Sequence, residues 1–201
     1  MLLQSAQFCC TILLKHNIIR KEDSDIYRYG FELLFSNAFT TLSILALSYI
    51  AGLPLAGWLY LLISIPLKTS VGGYHAPTYR KCYILSMSCF LSIIALNYYL
   101  SSFSLFENYL ILILIPASLY IFQKAPVKNA NHPVGTKVLK RNRTRARIYV
   151  SLFCLVLFLL YSYGYNRYWI NFCVLTVTAI ALFIIPTQFK RRISYDTRKC
   201  T

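Results

Sequence analysis

Six apolar runs separated by short polar connections constrain this 201-residue chain more than any other feature: Phe31 to Ala51, Leu55 to Leu67, Cys82 to Leu100, Glu107 to Phe122, Ile148 to Tyr163 and Tyr168 to Phe189. The hydrocarbon layer of a bilayer is about 30 Å thick and takes about 20 apolar residues as a helix. In lipid, each spanning segment has to satisfy its own backbone N–H and C=O groups, which a helix does internally. With 57% hydrophobic residues and a mean hydropathy of +0.53, an ordinary soluble domain is excluded. The expected fold is an all-α integral membrane protein with about six transmembrane helices. Leu55 to Leu67 is the shortest run and spans only if Pro66 and the residues after it lie inside the bilayer boundary.

Outside the runs, Leu2 to Leu14 is apolar with interspersed Gln4, Ser5 and Gln7, too short for a span and suited to an amphipathic helix lying on the membrane. No small-residue cleavage site precedes Lys15, so no removable signal peptide is expected. Lys15 to Gly30 is polar, with a short surface helix expected near Ser24. The predicted organisation is an N-terminal segment (1–30), a membrane domain (31–189) with a turn at 68–82 and a basic loop at 123–147, and a basic tail (190–201).

The net charge of +15 would suit a nucleic-acid partner if the bases formed one basic domain, but they are spread over several connections between apolar runs. Membrane topology accounts for them better, and no nucleic-acid partner is expected. With the N-terminus in the cytosol, alternate connections collect every one of the 21 Lys and Arg except Arg167. Both termini and the turn at 68–82 are then predicted to be cytosolic, in a bacterial plasma membrane, where thiols stay reduced. Tyrosines near span ends, such as Tyr98, Tyr99, Tyr163 and Tyr165, match interfacial aromatic belts.

The turn is the part of the chain with chemistry in it. Lys68 to Ser86 reads KTSVGGYHAPTYRKCYILS, with His75 and Cys82 seven residues apart. Gly72, Gly73 and Pro77 should break the helix between them. On an unbroken helix the two side chains would stand about 10 Å apart along the axis. A turn can bring imidazole and sulfur together. Cys82 would open a membrane helix, where the positive end of the dipole and the neighbouring Arg80 and Lys81 favour thiolate. A histidine within reach would take the thiol proton and return it to a leaving amine, while amides near Gly72 and Gly73 or at the helix start would stabilise an oxyanion. Taken alone, the pair reads more readily as an interfacial histidine and a buried structural cysteine, both of which are common. Cys89, a further seven residues along the same face, lies about two turns deeper. The seven cysteines show no CxxC pair or disulfide-like spacing, no metal site is expected because His16 and His132 fall in other segments, and no cofactor is implied.

The pattern K-x3-GGYHAPTYRKCYILS resembles the accessory gene regulator B (AgrB) family, membrane endopeptidases of quorum-sensing systems. A later stretch, APVKNANHPVG at Ala125 to Gly135, is similar to that family's segment between two spans. The similarity extends over roughly Phe31 to Phe189. It implies a catalytic dyad at His75 and Cys82, with Lys68 standing where an arginine is common and keeping the charge without the bidentate fork. Lys68, Gly72, Gly73, Arg80 and Lys81 are the expected supporting residues. The implied partner is an AgrD-like precursor peptide. Its C-terminal tail would be removed through a Cys82 thioester, and a (thio)lactone ring would close to give an autoinducing peptide. The eight-base loop would attract an acidic peptide tail or anionic lipid, or simply enforce topology. So few polar interior residues suggest a homodimer to enclose a site. Two other classes share the apolar runs. A small peptide exporter would carry ionisable groups in mid-membrane, which these spans largely lack, and a non-catalytic scaffold would make the His75 and Cys82 pairing coincidental.

Overall fold

The computed structural model describes residues 2–16, 18–72, 78–103, 108–127 and 135–199, with side chains given between residues 4 and 185. Every element among the described residues is helical. Helix α1 (Leu2–Lys15) buries Ala6 and Cys10, one turn apart, against the next helix, where the Cys10 thiol lies 3.3 Å from the Ser24 carbonyl. The turn-spaced Phe8 and Ile12 remain exposed, leaving an apolar stripe outward.

A 3-10 turn (Lys21–Asp23) runs directly into α2 (Ser24–Ile50). The expected surface helix and the first span are therefore one helix of 27 residues. Gly30 does not interrupt it, because a single helical glycine costs only about 1 kcal/mol and a long apolar face outweighs that. The helix ends where Gly52 takes φ 69°, its N–H bonding the Tyr49 carbonyl while the Leu53 N–H bonds that of Ser48. Pro54 then opens α3 (Pro54–Val71) at a position whose N–H has no helical acceptor. Gly57 faces the Ser48 side chain so closely that a methyl there would collide with it, which is how α2 and α3 pack.

The insecure second span is a full helix of 18 residues. It runs through Pro66 to Val71, four residues beyond the predicted end. Helix α4 (Tyr79–Ser101) follows the turn. The fourth apolar run becomes a 3-10 turn (Leu110–Ile113) leading into α5 (Leu114–Lys124), shorter than the others. Helix α6 (Thr136–Ser162) corrects the expected basic loop at 123–147: from Thr136 onward its bases lie on a helix continuous with the next span. Lysine, arginine and leucine are good helix formers, and no breaker follows Gly135. Helix α7 (Arg167–Lys199) likewise extends the last span through most of the expected tail. Between them Gly164 turns the chain at φ 71°, and Asn166 Oδ1 accepts the Tyr168 N–H at 3.0 Å.

Helices α3 and α7 form the centre. Their apolar stretches are 50% and 56% buried, against 11% for α2 and 17% each for α4 and α6. Ile170 through Val177 of α7 are buried without a break, as expected of a helix surrounded by others. The outer helices present Leu34, Leu42, Leu91, Leu152 and Phe158 outward. Two interior polar side chains find partners on other helices: Asn97 Nδ2 donates to the Tyr168 carbonyl at 3.3 Å, and Ser118 Oγ meets Cys154 Sγ at 2.9 Å. Among the described residues five helices are long and apolar enough to cross a membrane, and the chain is an all-α, multi-pass membrane protein.

Candidate active site

Cys82 is placed by the start of α4. Thr78, in extended conformation, caps that helix: its Oγ1 accepts the Lys81 N–H at 3.3 Å, and its carbonyl accepts the Cys82 N–H at 3.1 Å. Cys82 therefore closes the first turn, half-buried, as a free thiol. Its own amide and that of Lys81 are committed to the cap, so neither is a donor for an oxyanion. His75 and Gly73 lie outside the described residues, and the predicted pairing of His75 with Cys82 remains an expectation.

Arg80 and Lys81 are exposed. The cation that interacts electrostatically with Cys82 comes instead from α3. Lys68, exposed and three residues before the end of α3, interacts electrostatically first with Cys89 and then with Cys82. Its Nζ donates to the Tyr60 hydroxyl at 3.3 Å and stands 5.4 Å from that ring's centroid. Tyr60 is 2% exposed; its ring meets that of the buried Phe90 at 5.1 Å, and its hydroxyl hydrogen-bonds Cys89. Tyr60 of α3 thus meets Phe90 and Cys89 of α4 side chain to side chain. Tyr60 was missed in the sequence because a tyrosine inside an apolar run carries no signal of its own.

Two further contacts tie this end of the bundle together. Glu32 of α2 is 8% exposed and accepts a hydrogen bond from the Tyr79 hydroxyl at the first residue of α4. Arg28 approaches the same carboxylate at 3.9 Å. An acid inside an otherwise uncharged run was the available signal. Gly72, the other glycine expected to matter, ends α3 at φ 66°, where its ideal Cβ would stand 3.0 Å from the Val127 carbonyl oxygen. The Val127 N–H bonds the Val71 carbonyl at 2.8 Å. The two motif segments, far apart in sequence, meet here backbone to backbone. Among the described residues no group of three or more His, Cys, Asp or Glu is gathered to hold a metal ion.

Comparison with known families matches residues 6–185 to the family described as Accessory gene regulator B. The chain belongs to that family. As an AgrB-family protein it takes part in processing a quorum-sensing peptide, in a family of membrane protease-like proteins whose substrate is a precursor peptide. No curated protein and no solved structure matches the chain.

Proposed function

We propose that this AgrB-family protein is a cysteine endopeptidase that removes the C-terminal tail of an AgrD-like precursor and promotes closure of a (thio)lactone ring. The observation that carries the reading is the free, half-buried Cys82 thiol held at the capped start of α4, which presents a nucleophile at the end of the helical bundle. His75 takes the Cys82 proton. The Cys82 sulfur attacks a peptide carbonyl carbon, forming a C–S bond; the C–N bond breaks, and the proton passes to the departing amine of the tail. A nucleophilic side chain within the retained peptide then attacks the thioester, closing the ring and releasing the Cys82 thiolate, which regains a proton. Thioester exchange is close to balanced, so water has to be kept away. A half-buried cysteine at the end of a helical bundle suits that requirement. Gly72 shapes the turn and Lys68 supplies charge, while Gly73, Arg80 and Lys81 support peptide binding. The membrane is bacterial, with this end of the bundle cytosolic.

The test is mass spectrometry of a candidate precursor incubated with proteoliposomes of the wild type, Cys82→Ala, His75→Ala and Cys89→Ala. The first two variants should abolish tail release, whereas Cys89→Ala should still release the tail because the nucleophile remains. Tail release by Cys82→Ala would overturn the cysteine mechanism.

A further inference from the structure

The outward face of α6 carries unbalanced charge directly above a lipid-facing stripe. Its buried positions Ala146, Val150 and Leu157 mark the side that packs on α3, α5 and α7, and α4, which carries Cys82, is not among its packed neighbours. On the opposite side, exposed Lys137, Arg141 and Arg145 follow one another at four-residue spacing, and the same line continues through exposed Ile148, Leu152 and Leu155. Six of the twelve residues from Thr136 to Arg147 are Lys or Arg, and α6 holds no Asp or Glu. Like charges one turn apart on a helix repel. Among the described residues ion pairs are made by Arg28 alone, with Asp25 and Glu32 of α2, so the cations of α6 have no acidic partner there.

With 27 residues α6 is about 40 Å long against a hydrocarbon layer of about 30 Å, which leaves the turns before Ile148 to stand among the headgroups. At the boundary lies a shallow groove lined by Arg147, Ile148, Ser151, Leu152 and Leu155, one cation over an apolar channel. Arg147 is held in place: its Nε donates to the Phe122 carbonyl at 3.4 Å, and its guanidinium carbon lies 4.6 Å from the centroid of that ring. This uses one of five N–H donors, and a guanidinium's remaining donors match phosphate oxygens.

We propose that this face of α6 binds an anionic phospholipid, its phosphate at Arg147, its headgroup charge answered by Arg141 and Arg145, and an acyl chain along Ile148, Leu152 and Leu155. A free anion would satisfy the cations and leave the channel empty, whereas a lipid fills both. An acidic peptide fits less well, because the face points away from the bundle and from the helix that carries Cys82. The bound charge offsets the repulsion along α6, so stability should depend on lipid charge. The site stands whether or not Cys82 is the nucleophile.

The experiment follows the melting temperature of the full chain in neutral detergent micelles as phosphatidylglycerol or phosphatidylcholine is added. Phosphatidylglycerol should raise it saturably, by about 5–10 °C at a hundredfold excess over the half-saturating level, and less in high salt, while phosphatidylcholine should do little. Arg141→Gln/Arg145→Gln should raise the half-saturating level about tenfold without lowering the melting temperature in neutral micelles, since it relieves repulsion. Lys15→Gln/Lys21→Gln removes the same charge from the N-terminal segment and should respond as the wild type does. Leu152→Trp fills the channel, keeps every charge and should also weaken the response; it decides the matter if the arginine variant fails to accumulate. Inorganic phosphate and a deca-glutamate peptide should leave melting unchanged. Equal gains from the two lipids, an equal loss in the Lys15 and Lys21 variant, or a wild-type response in Leu152→Trp would each overturn the proposal. So would phosphate reproducing the gain, or a deca-glutamate gain that Arg141→Gln/Arg145→Gln abolishes, which would make the face a peptide site.

Discussion

At the scale of single residues, Gly72 carries the sharpest prediction. Its φ of 66° and ψ of −178° fall in a region essentially closed to residues with a side chain, where occupancy costs about 1–3 kcal/mol. Space is short as well, since an added Cβ would press on the Val127 carbonyl oxygen at 3.0 Å, and that backbone is held by its bond to Val71. Gly72→Ala should therefore lower the melting temperature in detergent and separate the α3 end from the 125–127 segment, with tail release reduced in step. A variant melting with the wild type would show that the turn relaxes without strain. The need for glycine here was legible from the sequence as a helix break. Its neighbour Val127 was not, because a close approach between segments over 50 residues apart leaves no local trace. Glu32 teaches the converse: a carboxylate at a span mouth looks solvated until Tyr79 of another helix is found donating to it.

Individual helices were easier to read than their ends. Apolar periodicity located α2, α3, α4, α6 and α7, but the Lys137 to Arg147 stretch read as a loop because charge was taken for irregularity, whereas arginine and lysine continue a helix readily. Helix α4 owes its start to Thr78, the only side chain shown capping it. Removing an N-cap acceptor costs about 1 kcal/mol, and here the loss falls on the turn that carries Cys82. Thr78→Val should leave the Lys81 amide without its acceptor, loosen the first turn and reduce tail release severalfold, while Thr78→Ser, which keeps the oxygen, should restore it. Equal activity in the two variants would show that Cys82 is held by contacts deeper in α4 instead.

Across the whole molecule, the open matter is how a chain with five long apolar helices returns its ends as the charge pattern requires. The stretch Leu110–Lys124 is the short member, about 22 Å of helix against a hydrocarbon layer of about 30 Å. Its two ends are nonetheless tied to opposite ends of the bundle. Immediately after α5, Val127 bonds the Val71 carbonyl beside the Cys82 end. Immediately before the Leu110 turn, the Asn108 carbonyl accepts the Tyr161 hydroxyl at 2.9 Å, near the far end of α6, where Arg167 lies over the Tyr161 ring at 4.4 Å. A segment anchored at both ends traverses the bundle whatever its length, and a thinned bilayer or the reach of Lys124 makes up the mismatch. With six crossings, the charge pattern predicts that the Cys82 end and the basic half of α6 share one side and that Arg167 lies on the other. Single cysteines introduced at Ser102, Asn166, Lys124 and Thr144 in a cysteine-free background test this with a membrane-impermeant maleimide on intact cells. The first two should label from outside, and the last two only after the membrane is opened. If Lys124 and Thr144 label from outside together with Ser102, α5 dips into the bilayer and returns, and the basic half of α6 cannot share a compartment with Cys82.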